Sequence, residues 1–287
     1  MDIITKIQDQ KPKFSQSERR IADILLNEFD FAVNASIIEL AERAEVSPPT
    51  VTRFCRRLGC QNFADFKVSL AKTVYVGLRY LKPEPTSTAP ADVATDVITT
   101  AQNALLQIHH SLGIERIEAA ATALAAADMI YAFGSGGNSS MIADELQNRL
   151  FRLGSRITSC NDHAMQLMLT ASARGSDVLI GSSFSGRNQE LVRCFQLASE
   201  SGITTIALTQ SDSPVAQAAD ILVAVNIPEG GNIFRPTSSR YAYLAVVDTI
   251  SSLIAYRNRD RAQVTLRHIK QQLVENRDGD DRQLLGD

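Results

Sequence analysis

Two groups of residues in this sequence have types and spacing that could do chemistry. The first is the segment Ser182-Ser183-Phe184-Ser185-Gly186-Arg187-Asn188, which follows the apolar run Val178-Leu179-Ile180-Gly181 and passes directly into a helical stretch carrying Glu190, Leu191 and Phe195. Backbone N–H groups at a helix start sit at the positive end of the helix dipole, and serine hydroxyls add donors, so this loop predicts a phosphate site. Gly186 lets the backbone approach an anion closely. The segment Gly134-Ser135-Gly136-Gly137-Asn138-Ser139-Ser140 has the same composition, and Ser135, Gly136, Asn138 and Ser139 are suited to the hydroxyls of the same ligand. A dinucleotide loop would read similarly. Here the spacing Gly134-x-Gly136-Gly137 lacks the third glycine, and Arg156-Ile157-Thr158-Ser159-Cys160 ends in no acid suited to a ribose. A small phosphorylated ligand is therefore preferred, and no cofactor is expected.

The second group is a set of arginines between Ser36 and Gly59. Ser36 and Glu39 form the S-x-x-E pattern of a capping box, and Ile37, Leu40, Ala41 and Ala44 share one face of the helix that follows. After a turn at Glu45 and Val46, Ser47 is a second N-cap, with Pro48 and Pro49 where a helix has no use for an N–H. Val51, Phe54, Cys55 and Leu58 then face inward, leaving Thr50, Arg53, Arg56 and Arg57 on or near the opposite side, and Gly59 closes the helix as a C′ residue. Two short helices around a tight turn are the outline of a helix-turn-helix, whose second helix enters the major groove of double-stranded DNA. In that register Ser47, Pro49, Thr50 and Arg53 meet base edges, while Arg56, Arg57 and Lys67 reach phosphate. An ordinary helical hairpin has the same bare pattern, and local charge favours DNA. From Ala44 to Lys82 there are seven Lys or Arg against two acids; residues 1–82 carry 13 basic and 10 acidic side chains, and the rest carries 16 and 22.

These segments need scaffolds of different kinds. Ser15-x-x-Glu18 opens an amphipathic helix with Ile21, Ile24, Leu25 and Phe29, and Phe63, Phe66, Val68 and Leu70 continue in another, which makes the N-terminal part all-α. Pro83-Glu84-Pro85-Thr86-Ser87-Thr88-Ala89-Pro90 breaks any helix and reads as a linker. Beyond it, two Ala-rich helices (about 91–112 and 114–126) lead into five short apolar runs near 129–133, 156–158, 178–181, 204–208 and 221–225, alternating with helical segments. That rhythm predicts a parallel sheet covered on both faces, a doubly wound α/β domain. The expected organisation is a helix-turn-helix domain over 1–82, a linker over 83–90, an α/β domain over 91–275 and a flexible polar tail over 276–287. A length of 287 residues with 44% hydrophobic content is enough for two cores.

The remaining composition narrows the function classes. The C-terminal apolar run Tyr241 to Tyr256 is broken by Asp248, Thr249, Ser251 and Ser252, and MDIITKIQDQ has no signal-peptide apolar region, so a cytoplasmic protein without membrane contact is expected. Cys55, Cys60, Cys160 and Cys194 show neither CxxC spacing nor nearby histidine pairs, which argues against a metal site or a disulfide framework.

Taken together, Ser183-x-Ser185-Gly186 after a strand and the Gly- and Ser-bearing loop after an earlier strand resemble the SIS (sugar isomerase) domain. Joined to Pro49-Thr50-Val51-x-Arg53-Phe54-Cys55-Arg56-x-Leu58-Gly59, the chain resembles the RpiR family of bacterial transcriptional regulators over about residues 1–275. The resemblance implies a homodimeric or homotetrameric regulator of sugar catabolism genes, whose SIS domain senses a phosphorylated sugar and changes operator binding. It also implies that Ser183, Ser185, Gly186 and Asn188 hold the phosphate. Family members usually carry Thr or Ser where Asn188 stands and Ser where Asn138 stands, so no relative's effector transfers directly; members that govern hexose catabolism through a keto-deoxy-gluconate phosphate are a fair comparison. Pro236-Thr237-Ser238-Ser239-Arg240 resembles the family's segment before its last long helix, with Ser239 expected to cap it. The competing reading is a phosphosugar isomerase with Glu190 and His163 as acid/base residues, in positions similar to those where SIS isomerases place a base and a ring-opening acid. Such an enzyme gains nothing from Arg53, Arg56 and Arg57, and the expectation is a regulator with no catalytic residue.

Overall fold

The computed structural model describes residues 3–77, 89–229 and 237–276, which fall in two compact units. The first unit is all-α: α1 (Ile3–Gln10), a 3₁₀ turn at Lys11–Lys13, α2 (Gln16–Asn27), α3 (Phe29–Asn34), α4 (Ile37–Arg43), α5 (Pro48–Arg57) and α6 (Phe63–Gly77). Its core gathers Ile4 and Ile7 of α1, Ile21 and Leu25 of α2, Leu40 of α4, Val51 and Phe54 of α5 and Phe66 of α6, all fully buried. Each such side chain contributes roughly 1.5–3 kcal/mol by leaving water. Phe14 meets Phe54 edge to face, with centroids 5.3 Å apart. Val68 is 54% exposed, contrary to its expected place in the core: it is two residues from both Phe66 and Leu70, and helical geometry turns it away from them.

The second unit comprises α7 (Pro90–Ser111), α8 (Ile114–Ala126), β1 (Ile130–Gly134), α9 (Gly137–Leu150), β2 (Ile157–Cys160), α10 (His163–Ser172), β3 (Val178–Ser183), α11 (Gln189–Glu200), β4 (Thr204–Thr209), α12 (Pro214–Gln217), β5 (Ile221–Ala224), α13 (Ser239–Arg257) and α14 (Arg259–Glu275). The five strands form one parallel sheet in the order β2-β1-β3-β4-β5. Alternate residues serve opposite faces: Ile130, Ile180 and Ile206 pack with α8, α9 and α13, whereas Phe133, Leu179 and Ala207 pack with α11. The doubly wound α/β expectation is met, with all five apolar runs as strands. Of the expected linker, only Ala89 and Pro90 are among the described residues, and Pro90 is the first residue of α7; of the expected tail, only Asn276 is.

Candidate functional site

In the helical unit, α4 and α5 form the expected hairpin. The Ser36 hydroxyl accepts from the Glu39 N–H at 3.2 Å, and the Glu39 carboxylate accepts from the Ser36 N–H at 2.7 Å, completing the capping box. Glu45 adopts φ 50°, a left-handed conformation that lets Val46 N–H return to the Ala41 carbonyl at 2.9 Å and makes the turn tight. Gly59, at φ 91°, ends α5 in the same way, with Cys60 N–H donating to the Cys55 carbonyl at 3.0 Å. Cys55 is core, and burial, with Cys60 adding to it, pushes its thiol up to about 12.

The exposed start of α5 carries a short polar chain. Ser47 occupies the N-cap position but makes no cap bond; its hydroxyl lies 2.9 Å from Thr50 Oγ1, which accepts from Arg53 Nη2 at 3.1 Å. Pro49, Arg53 and Arg56 are exposed beside it. Two residues expected at phosphate are engaged elsewhere. Arg57 donates through Nη1 to both Glu18 oxygens, at 3.0 and 2.9 Å, and through Nη2 to the Lys13 carbonyl at 2.9 Å, with its guanidinium 5.1 Å from the Phe14 ring centre. Lys67 Nζ donates to the Val33 carbonyl and, at 2.9 Å, to that of Ala35, closing the end of α3. Burial lowers the Lys67 ammonium pKa, against the pull of Glu39. Both side chains bind the helices to one another, because helical spacing turns their stems toward carbonyls and a carboxylate of neighbouring elements.

In the α/β unit the two Ser- and Gly-bearing loops leave neighbouring strands. Gly134 of β1 pairs with Ser182 of β3, and the chain then turns into α9 on one face of the sheet and α11 on the other. This is the point where the strand order reverses and a crevice opens beyond the carboxyl ends. Gly136 at φ 78° precedes α9, so Asn138 and Ser139 lie in its first turn. Asn138 Nδ2 donates to Thr237 Oγ1 at 2.5 Å, and the Ser139 carbonyl accepts from Ser182 at 2.8 Å. In the β3 loop Ser183 is buried and Ser185 exposed. Gly186, at φ +65°, packs so closely that a Cβ would lie 2.2 Å from Ser213 Cβ and Oγ. Asn188 caps α11, its Oδ1 accepting from Leu191 N–H at 2.9 Å, which gives this amide a structural task that the phosphate assignment did not foresee. Glu190 lies exposed in the first turn of α11, and His163 opens α10 with Nδ1 3.3 Å from Ser135 Oγ.

Residues not singled out from sequence hold these loops from behind. Thr209 Oγ1 donates to the Ser183 carbonyl at 2.6 Å, Phe184 stacks on Tyr243 with centroids 3.9 Å apart, and Gln166 Nε2 donates to Ser135 Oγ at 3.2 Å. Burial raises the Tyr243 hydroxyl pKa. Ser239 does not cap α13: it is the first helical residue, and the Glu229 carboxylate accepts from the N–H groups of Ser238 and Ser239 at 3.2 and 2.8 Å. Gln166 had a faint signal in the sequence, three residues after His163 and thus on its helix face. Thr209 and Tyr243 had none, because their partners lie 26 and 60 residues away.

Residues 1–75 match the family described as helix-turn-helix domain, rpiR family, and residues 123–252 match the SIS domain. The chain is 33% identical over 286 residues to the HTH-type transcriptional regulator HexR of Escherichia coli K12, covering 99% of this chain and 98% of that one. It is 31% identical over 277 residues to the regulator of the same name from Pseudomonas aeruginosa, covering 96% and 97%. The fold is also that of the Vibrio vulnificus NanR protein complexed with ManNAc-6P, with TM-score 0.61 at 20% identity over 96% of this chain and all of that one. No helix among the described residues is long and apolar enough to cross a membrane. Two matched modules in this order, and near-full-length identity to named regulators, place the chain in the RpiR family of helix-turn-helix transcriptional regulators with a SIS domain.

Proposed function

We propose that the chain is a cytoplasmic, non-enzymatic regulator of carbohydrate catabolism genes that binds operator DNA through α5 and responds to a phosphorylated sugar held between the β1 and β3 loops. The observation that carries the effector half is the pair of loops at the β1/β3 reversal, each leading into a helix start. Ser183, Ser185 and Gly186 are assigned to the phosphate, and Ser135, Gly136, Asn138, Ser139, His163 and Glu190 to the sugar. Asn188 serves the phosphate indirectly, by capping α11. The related HexR regulators and the ManNAc-6P complex of the NanR protein support the same reading. On the DNA side, Ser47, Pro49, Thr50 and Arg53 face bases and Arg56 faces phosphate, while Arg57 and Lys67 are assigned to holding the hairpin. The active species is a homodimer or homotetramer, with half-sites about one DNA turn apart or a multiple of it.

The effector shifts a population between two states of the protein according to which it binds better. Titration of the full-length protein onto its own upstream intergenic DNA, repeated with a panel of sugar phosphates, tests the reading. Salt-dependent binding that one sugar phosphate shifts supports it. Absence of DNA binding at low salt, with turnover of a phosphosugar in the same samples, would replace it by isomerase chemistry at Glu190 and His163.

A further inference from the structure

Gln166 lies in the first turns of α10 on the same face as His163, and it is 1% exposed. Its Nε2 donates to the Cys160 carbonyl at 2.8 Å and to Ser135 Oγ at 3.2 Å, while its equally buried Oε1 has no hydrogen-bond partner among the described residues. The Cys160 carbonyl can only accept, which fixes Nε2 on that side of the amide. Ser135 Oγ, already accepting from Gln166, lies 3.3 Å from His163 Nδ1. The serine oxygen can also accept a second bond, from a protonated Nδ1; the arrangement that gives the Ser135 proton an acceptor within this group is the other one. Gln166 N–H donates to Ser135, Ser135 O–H donates to an unprotonated Nδ1, and the imidazole keeps Nε2–H as an outward donor. Packing alone would select Leu or Met at this position, since either fills the volume without burying an unpaired oxygen.

We propose that Gln166 is a positioning residue of the effector site: it orients Ser135 and, through Ser135, holds His163 in the tautomer that offers Nε2–H to an oxygen of the bound sugar. This rests on reading the two loops as one effector site. Because the phosphate is assigned to the β3 loop, Gln166 governs how the sugar is recognised and leaves phosphate affinity alone.

The test uses full-length wild type, Gln166→Met, Ser135→Ala and the double variant. Each is titrated calorimetrically with inorganic phosphate, glucose 6-phosphate, fructose 6-phosphate and 6-phosphogluconate. The imidazole ¹⁵N spectrum of each ligand-free protein is also recorded, with His163→Gln identifying the His163 signals among the four histidines. The expected result is that preference for the best sugar phosphate over inorganic phosphate falls about tenfold in each single variant, with phosphate affinity changed less than about twofold. The double variant should be no worse than either single one, because both interrupt one chain. The hydrogen-bonded acceptor signal of His163 Nδ1 should be lost in all three. Equal weakening of phosphate and sugar phosphate, an unchanged preference, or an unchanged His163 spectrum would overturn the proposal. If no sugar phosphate exceeds inorganic phosphate on the wild type, the effector reading fails, and the spectrum alone decides whether Gln166 controls His163. Should Gln166→Met fail to fold, Gln166→Leu gives the same decision, because Ser135 is itself assigned to the sugar and Ser135→Ala bears on the His163 spectrum alone.

Discussion

Arg57→Ala separates a residue that holds the hairpin from one that holds DNA. The Arg57–Glu18 pair has side chains 37% and 16% exposed, so its Coulomb part is screened and contributes at most about 1 kcal/mol. The bond to the Lys13 carbonyl adds roughly 0.5–1 kcal/mol after the same discount, and the guanidinium over Phe14 about 0.5 kcal/mol. The expected loss is about 2 kcal/mol, confined to the helical unit. Hydrogen exchange of the α5 amides in the full-length protein reads this locally, and about 2 kcal/mol corresponds to exchange faster by roughly 30-fold. The same variant should keep its slope of log affinity against log salt on operator DNA. Arg56→Ala should reverse the pattern, leaving exchange unchanged and reducing the slope by about 0.9, one phosphate's worth. If Arg57→Ala leaves exchange unchanged and flattens the slope, Arg57 faces phosphate and its assignment to the hairpin is wrong.

Glu45→Gly should stabilise the same unit by about 1 kcal/mol in an exchange measurement, because the left-handed φ of 50° costs a residue with a Cβ more than its exposed pairing with Arg20 returns. Gly186→Ala should destabilise the β3 loop by at least about 2 kcal/mol and abolish phosphate binding in calorimetry, since the new Cβ would lie 2.2 Å from Ser213 with φ at +65°. Acid should loosen the helical unit first. Burial works against ionising Glu18, but hydrogen bonds from Ser15 and then Arg57 outweigh it and hold its pKa below the usual carboxylate value; bonds from Ser36 do the same for Glu39. A carboxylate pKa depressed on folding contributes stability above its unfolded value, about 4.3, and that contribution is lost as pH falls through the folded value. Glu18→Gln and Glu39→Gln should therefore flatten the acid limb of a stability-against-pH curve below about pH 5.

Local patterns made much of this legible before any coordinates. The two capping boxes at Ser15 and Ser36, the C′ glycine at Gly59 and the five apolar runs each depend on neighbours within a few residues, and all are found where spacing put them. What escaped is set by distant partners. Basic residues on an outward stretch of helix look alike in sequence, and only the position of Glu18 and Lys13, 39 and 44 residues away, distinguishes Arg57 from Arg56. The helix α1 gives little signal in the sequence because Ile3, Ile4 and Ile7 are few and set among polar residues; their burial is supplied by α6 and the rest of the unit. Local spacing points to Ser239 as the α13 cap, whereas the carboxylate that does the capping arrives from Glu229, ten residues earlier.

The supports behind the two loops make a separate demand on the effector site. Thr237, two residues before α13, receives a bond from Asn138 of the β1 loop, and Tyr243 within α13 stacks on Phe184 of the β3 loop. One stretch of chain thus touches both halves of the site, and a ligand bridging the loops must bind against whatever order that stretch imposes. Phe184 has no polar side-chain atom to offer a phosphate, so any effect of Phe184→Ala on phosphate binding reports the ordering of its neighbours Ser183 and Ser185. An aromatic pair contributes about 0.5–1.5 kcal/mol beyond the area it buries. Releasing it should weaken inorganic phosphate by up to about tenfold, while Tyr243→Phe, which keeps the stack and gives up only the 3.5 Å contact from its hydroxyl to the Ser183 carbonyl, should change phosphate affinity less than about twofold. Calorimetry on the full-length variants measures both, and an unchanged affinity in Phe184→Ala would mean that the β3 loop is ordered by Thr209 and Gly186 alone, with α13 irrelevant to the phosphate.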